Sequence, residues 1–427
     1  MEGTGIIAHR KTVTDDGLRI LTSRMPHTQS ASIVLYVGAG SRYESPEEAG
    51  ISHFVEHMCF KGTPRYPTSK DISEAIEGVG GVMNASTDRE LTAYWCKVPV
   101  THFHDALDVL ADMVREPIYD ADEIEKERQV ILEELAMTYD VPSYRAELLI
   151  DEVMWPDQPL GRDVGGTRDS VAGITRDMML DYMCRQYTLP NLVVSIAGNI
   201  HHDEAIEAVE NRFRGWAGHS PGNWIPADDG QASPSFGMER RKTEQAHLCV
   251  AVKGLSSSHP DRYALDLLNA ILGEGMSSRL FLELREKRGL VYDVHSTVSH
   301  LKDCGTFTVY AGMDPKNART AVGSILDELD RVKSGVPEEE LHKAREYLKG
   351  RLVLRMEDSR SVAAWLGAQE LLTNRVRTVK QVLSQVDAVT TDDVRRVANE
   401  LLVTEKLSTA IVGPFRSERP FQSRLRI

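Results

Sequence analysis

The sequence predicts an α+β protein made of two homologous α/β-sandwich-like halves, and two observations carry this prediction. The first is a diverged internal repeat, in which the strand-like segment Leu192–Gly198 matches Leu407–Gly413. The second is a stretch at 220–237 that is rich in helix breakers and lacks periodicity, as is typical of a linker. We therefore expect an N-terminal domain at 1–219, the linker at 220–237 and a C-terminal domain at 238–427.

The first half alternates strand-like and helix-like segments. An Asp-Gly turn at Asp15–Gly17 lies between two strand-like runs, which predicts a hairpin. Further strands are expected at Ala31–Val37, Val82–Thr87 and Leu91–Val98. Helices are expected at about 51–60, 69–78, 104–115 and 120–138, where apolar residues recur at helical spacing.

Composition describes an ordinary folded protein. The chain has 427 residues, of which 41% are hydrophobic and 27% are charged, which is not the composition of a disordered chain. The formal net charge of −14 argues against a nucleic-acid partner and provides no basic surface for an anionic membrane. No apolar run reaches the roughly 18 residues of a membrane span, and the first residues lack the pattern of a signal or transit peptide.

The cysteines indicate a reducing compartment. Their number is odd, they are widely scattered, and none is paired with another at metal-ligand spacing: Cys59, Cys96, Cys184, Cys249 and Cys304. A cytoplasmic location explains this pattern most simply.

The segment Ile51–Phe60 contains the clearest candidate metal-binding and catalytic residues. His53 and His57 are four residues apart, so a helix places both imidazoles on one face, one turn apart. Two neutral imidazoles at this spacing can bind one divalent cation, and Glu56 can act as a base toward water at that cation. The pattern is the inverted zincin motif H-x-x-E-H. The alternative is an amphipathic surface helix with polar residues on one side.

A second acidic helix is expected from Asp120 to Thr138. On a helical wheel, Glu127 and Glu134 fall within its apolar stripe, roughly 20° apart, whereas Glu133 falls on the solvated side. Carboxylates on a buried face need a partner. A metal centre would provide one, and so would an Arg or Lys across the interface.

With these two segments in view, the chain resembles the M16, or pitrilysin-like, metallopeptidases over nearly its whole length. The resemblance is most specific in His53-Phe-Val-Glu-His57 and in the acidic segment that ends at Glu134. In that family the third zinc ligand follows the second His after 76 intervening residues, and this count from His57 leads to Glu134. The resemblance thus implies that His53, His57 and Glu134 bind one Zn²⁺ per chain. It also implies that Glu127 steadies a metal ligand or the catalytic base without binding the metal itself.

The resemblance also assigns roles outside the metal ligands. It implies that each half is a mostly antiparallel sheet with helices packed on one face. Arg285 and Tyr292, from the half without the motif, would hold the substrate, and Tyr292 would stabilise the oxyanion. The alternative to these roles is structural. Arg285 would then cap a carbonyl, and Tyr292 would be half-buried at the start of a strand.

The family binds its peptide as an added strand along an exposed sheet edge. In this chain that edge corresponds to about Val82–Thr87, and Asn84 and Ala85 match the family's Asn-Ala pair. Asn84 could orient the scissile peptide through its amide, although an Asn that caps a loop is an alternative.

The expected activity is that of a zinc metalloendopeptidase that cuts unfolded peptides or short polypeptides in a closed chamber, with Glu56 as general base and acid. The chain resembles one of the two units of the full-length relatives, so a homodimer is expected. One alternative is a non-catalytic partner subunit of the same fold. Another is a zinc hydrolase with a different substrate, or a nucleotide enzyme that uses Gly273–Ser278.

Overall fold

The computed structural model describes residues 7–216 and 222–427. They form two compact units, and each unit takes segments from both halves of the chain. The first comprises residues up to Leu135, Asp163–Ile225 and Leu352–Gln381; the second comprises Ala136–Arg162, Pro226–Arg351 and Val382–Ile427. The sequence predicts contiguous domains, whereas each of these units is made of three separate segments. The expected boundary at 219 and residues 220 and 221 of the expected linker lie outside the described residues.

The described strands of the first unit form a six-stranded sheet. They are β1 (Arg10–Val13), β2 (Arg19–Arg24), β3 (Ser30–Val37), β4 (Val82–Thr87), β5 (Thr92–Pro99) and β6 (Leu192–Gly198), in the spatial order β1-β2-β6-β3-β5-β4. Only the β2–β6 pair is parallel within this described sheet. The second unit has a five-stranded sheet. Its strands are β7 (Ser235–Arg240), β8 (Ala246–Lys253), β9 (Asp293–His300), β10 (Gly305–Met313) and β11 (Ser408–Gly413), in the order β7-β11-β8-β10-β9.

Helices fill the connections between these strands. In chain order they are α1 (Ile51–Met58), α2 (Ser69–Glu77), α3 (Phe103–Arg115), α4 (Ala121–Asp140), α5 (Pro142–Met154), α6 (Arg168–Gly173), α7 (Arg176–Gln186), α8 (His202–Phe213), α9 (Arg262–Gly273), α10 (Ala318–Lys333), α11 (Glu338–Arg355), α12 (Ser359–Thr373), α13 (Val379–Ala388), α14 (Thr391–Leu401) and α15 (Arg419–Gln422). A π-helical turn spans Phe281–Lys287. The predicted class, two α+β halves with mostly antiparallel sheets, is confirmed.

The predicted hairpin forms the start of the first sheet. Gly17 has a φ of +86°, in the left-handed region that glycine adopts without strain. Its N–H donates to the Thr14 carbonyl at 2.9 Å, and β1 then pairs with β2 so that Val13 lies opposite Arg19.

Each sheet has one face covered by several helices and a second face covered mainly by one. In the first unit, Ile33 and Leu35 of β3 belong to the core below α1 and α3. On the other face, the hydroxyls of Ser32 and Ser359 lie 2.9 Å apart, and Tyr36 donates to the Ala364 carbonyl at 3.1 Å. Helix α12 therefore closes this face, although it comes from the second half of the chain.

The second unit is built in the same way. Its sheet packs against α9 and α10 on one face, and α14 packs against these two helices. On the other face, α5 places Ala146 and Ile150 in a buried cluster with Cys249 and Ala410. Helix α5 comes from the first half of the chain, so the two halves exchange one covering helix each. In the described part of the chain, no helix is both long and apolar enough to cross a membrane.

Candidate metal centre

Helix α1 presents the two histidines of the motif side by side. Its apolar residues Phe54, Val55 and Met58 are fully buried and fix the orientation of the helix. Because four residues make about one turn, His53 and His57 share the opposite face. Their Nε2 atoms lie 3.2 Å apart, and their ring planes cross at 72°.

The beginning of α1 is fixed by a buried carboxylate. Glu44, which is fully buried, accepts the N–H of Gly50 at 2.8 Å, the N–H of Ser52 at 2.9 Å and the Ser52 hydroxyl at 2.6 Å. An acceptor with a negative charge at this position satisfies the free N–H groups of the first turn and interacts favourably with the helix dipole. Glu44 therefore holds the turn that contains His53.

Helix α4 brings a carboxylate to the same point. Oε2 of Glu134 lies 3.7 Å from His57 Nε2 and 4.0 Å from His53 Nε2. One ligand atom from each of the three residues lies within 4.8 Å of the others, and the neighbouring Glu133 is exposed. The structure thus brings together the three residues that the sequence proposed as metal ligands.

The surroundings of His53 favour its neutral form. Burial, and then the proximity of His57, lower the pKa of His53 to about 4. His53 is therefore neutral near pH 7, and one of its ring nitrogens carries a lone pair. The two Nε2 atoms face each other at 3.2 Å, so when both are unprotonated their lone pairs are available to one shared cation. Two imidazole nitrogens and a carboxylate oxygen are the donor set of many catalytic zinc sites, so the residues present fit Zn²⁺.

Glu127 lies behind the cluster and has two partners. Its Oε1 is 3.3 Å from His57 Nδ1, and its Oε2 forms a close ion pair with Lys61. The sequence left open whether this acid meets a metal centre or a Lys. The structure shows that it contacts both a histidine of the cluster and Lys61.

Glu56 lies between the two histidines in sequence and is 8% exposed. Burial raises its pKa, and a hydrogen bond from the Thr87 hydroxyl to Oε2 partly opposes this change. A carboxylate whose pKa is raised holds a proton more readily, as a group that both takes and returns a proton requires.

The sequence interpretation missed three residues of this site, namely Glu44, Lys61 and Thr87. Lys61 follows His57 by four residues but lies beyond the end of α1 at Met58, so helical spacing does not identify Glu127 as its partner. Glu44 and Thr87 lie outside helices, and nothing in the local pattern identifies their partners.

The proposed substrate edge is β4. Among the described strands it pairs with β5 alone, so its other edge is unpaired. Asn84 is exposed, and its Oδ1 accepts the Ala85 N–H at 2.8 Å. A peptide that pairs with β4 at Ala85 must displace this contact.

Arg285 and Tyr292 both lie in the second unit. Arg285 belongs to the π-helical turn, with its guanidinium carbon 4.9 Å from the centre of the Phe281 ring. Gly289, just after this turn, has a φ of +57°, in the left-handed region that favours glycine. Tyr292 is 58% exposed, and its N–H donates to the Gly312 carbonyl at 2.8 Å. Both side chains are thus on the segment that leads into β9.

The segment Gly273–Ser278 does not have the context of a phosphate-binding loop. It begins at the last residue of α9 and leads toward the π-helical turn. A phosphate loop would follow a strand and open a helix, whereas this segment follows a helix. The nucleotide alternative therefore has no structural support.

Comparison with known proteins identifies relatives along the whole chain. A family model described as insulinase (peptidase family M16) matches residues 19–168, and one described as the peptidase M16 inactive domain matches residues 173–348. An uncharacterized zinc protease of Streptomyces coelicolor is 38% identical over 97% of this chain and 92% of its own length. The uncharacterized zinc protease YmxG of Bacillus subtilis is 35% identical over 95% of this chain and 98% of its own length.

Solved structures show the same fold at lower identity. A protease from Helicobacter pylori has a TM-score of 0.89 at 23% identity and covers 95% of this chain and 99% of its own. A putative M16-like peptidase from Alicyclobacillus acidocaldarius has a TM-score of 0.84 at 21% identity, over 96% and 99% of the two chains. The Streptomyces and Bacillus relatives are both named zinc proteases, and the two family models are described as peptidase models. The chain belongs to peptidase family M16.

Proposed function

We propose that the chain is a zinc-dependent endopeptidase that hydrolyses unfolded peptides or short polypeptides inside a closed chamber. The observation that carries the proposal is the convergence of His53, His57 and Glu134, with one ligand atom of each within 4.8 Å of the others. When bound, Zn²⁺ supplies a Lewis acid that acidifies water and polarises a peptide carbonyl.

The chain's own residues complete the chemistry. Glu56 takes a proton from the attacking water and returns it to the leaving amine. Glu127 accepts a hydrogen bond from Nδ1 of His57. Nε2 of that ring is then unprotonated, and its lone pair is available to the metal ion. The unpaired edge of β4, near Asn84 and Ala85, binds the peptide as an added strand.

We propose further that the active form is a homodimer in the cytoplasm. Arg285 and Tyr292 of one subunit would face the metal centre of the other, where Tyr292 would share the oxyanion charge. The free state of all five cysteines supports a reducing compartment. Gel filtration tests the dimer, and a fully active monomer would contradict it.

A non-catalytic partner subunit is the rival function. That role does not need a complete site, yet the base Glu56 and all three ligand residues are present. The label "inactive domain" belongs to the model that matches residues 173–348, which do not include any of these four residues.

The experiment that tests the function combines metal analysis with a peptide digest. Purified wild-type protein should bind zinc and cleave a mixed peptide pool, lose cleavage on chelation and regain it when zinc is restored. Glu134→Gln should bind zinc far more weakly, whereas Glu133→Gln, at the exposed neighbouring position, should behave as wild type. Cleavage that survives complete removal of metal would overturn the proposal.

A further inference from the structure

Strand β4 presents one residue to the candidate base. Its side chains alternate, with Asn84 and Ser86 exposed and Met83, Ala85 and Thr87 half-buried on the other face. Met83 and Ala85 pack against the core that contains α1. Thr87 ends this inward row, and its hydroxyl donates a hydrogen bond to Oε2 of Glu56.

This contact restricts how Glu56 can act. The last torsion of a glutamate is broad and nearly two-fold, so an unsupported carboxylate samples many orientations. With Oε2 engaged by Thr87, the carboxylate plane is held. Within the described chain, Oε1 makes no hydrogen bond, so it is the oxygen left to receive a proton.

The Thr87 side chain is itself firmly placed. It lies opposite Thr92 of β5 in the antiparallel ladder. Thr92 is fully buried and donates to the Ala39 carbonyl at 3.0 Å. A β-branched side chain in a strand has few χ1 rotamers, so the hydroxyl direction follows from the position of the strand.

We propose that Thr87 is a positioning residue that orients Glu56 from the strand on which the substrate peptide pairs. The proposal rests on the proposed function. The proton of the attacking water passes to Oε1 of Glu56 as the water oxygen bonds to the carbonyl carbon, and it passes to the amine nitrogen as the C–N bond breaks. Thr87 keeps its own proton throughout. One hydroxyl thus links β4 to the base. The orientation of Glu56 relative to a peptide paired with β4 is thereby fixed.

The test removes the hydroxyl and keeps the shape. Thr87→Val is isosteric and retains a strand-favouring side chain, while Thr87→Ser retains the donor. For a peptide from the digested pool, Thr87→Val should lower kcat about 10- to 100-fold with KM nearly unchanged, and Thr87→Ser should restore most of the loss. Thr308→Val, the same change at a half-buried position of β10, should leave kcat at the wild-type value.

Four readouts separate positioning from a general structural role. The zinc content of Thr87→Val should equal that of wild type, and its unfolding midpoint should stay well above the assay temperature, so that the variant is fully folded during turnover. In the Glu56→Gln background, where no proton transfer is left to orient, Thr87→Val should cause no further loss of kcat. The affinity of an uncleaved fluorescent peptide, measured by anisotropy, should be equal for Glu56→Gln with and without Thr87→Val.

The outcomes distinguish this inference from the proposed function. If Glu56→Gln cleaves as well as wild type, the proposed function fails. If Glu56→Gln is inactive but Thr87→Val matches wild type, only the role of Thr87 fails. Loss of zinc, peptide affinity or stability in Thr87→Val that accounts for the activity change would also overturn the positioning role.

Discussion

Nδ1 of His57 lies 3.3 Å from Oε1 of Glu127, so the ring nitrogen that faces His53 and Glu134 is Nε2. A carboxylate behind a metal-ligating histidine sets its tautomer and increases its basicity. We predict that Glu127→Gln weakens zinc affinity roughly 10- to 100-fold, as measured by competition with a chromogenic chelator. Glu133→Gln, on the exposed side of the same helix, is the control. Equal affinities in the two variants would remove Glu127 from the site.

The cap on α1 makes a prediction for stability. In Glu44→Gln an amide group replaces one acceptor oxygen, so an N–H of Gly50 or Ser52 loses its partner. Because hydrogen bonds to buried charged groups are strong, we expect the free energy of unfolding to fall by about 2 kcal/mol, together with zinc affinity. Chemical denaturation measures the first effect. Glu77→Gln, at an exposed position of α2, should change neither quantity, and a Glu44→Gln variant as stable as this control would argue against the cap.

The buried His53 predicts a pH dependence for the metal-free protein. Its pKa in the folded state is lowered to about 4 from an ordinary 6.5, chiefly by burial. The unfolded chain therefore takes up the proton first, so stability is fully present above about pH 6.5 and is lost as the pH falls toward 4. The loss is roughly 3 kcal/mol.

A matched variant isolates this histidine. Metal-free His53→Gln should lose less stability than metal-free wild type between pH 7 and pH 4.5, as measured by urea unfolding. The raised pKa of Glu56 acts in the opposite direction, but it is present in both proteins. Parallel losses in the two proteins would show that His53 is not the titrating group.

The proposed dimer predicts complementation between two inactive variants. A Glu56→Gln subunit carries an intact Tyr292, and a Tyr292→Phe subunit carries an intact Glu56. If each site uses Tyr292 from its partner, a subunit mixture that exchanges freely should recover roughly a quarter of wild-type activity, because half of the dimers are mixed and one of their two sites is complete. Activity that never exceeds that of the separate variants would contradict the shared site.

Local patterns in the sequence identify the individual candidate ligands but do not show that they meet. The four-residue spacing of His53 and His57, and the place of Glu134 within an apolar stripe, are properties of single helices. Helical geometry therefore predicts which side chains point together. The resemblance to M16 peptidases then joined the two helices, which periodicity alone could not do.

Contacts between segments that are far apart in the sequence cannot be predicted from local patterns. Helices α5 and α12 show no local sign that they cover the sheet of the other half, because a helix buried on one face looks the same in sequence whichever sheet it meets. Glu44 and Thr87 act through single hydrogen bonds made from a loop and a strand end. Such contacts depend on three-dimensional placement, so only the structure reveals them.

Turnover and zinc content of wild type and Glu56→Gln test the proposed zinc site most directly. The change removes a proton acceptor but keeps the shape of the side chain, and Glu56 is not one of the three proposed ligands. We predict that the variant retains zinc at the wild-type stoichiometry while peptide turnover falls by roughly three orders of magnitude. Wild-type turnover in the zinc-loaded variant would contradict the assignment of Glu56 as the base and, with it, the proposed zinc peptidase site.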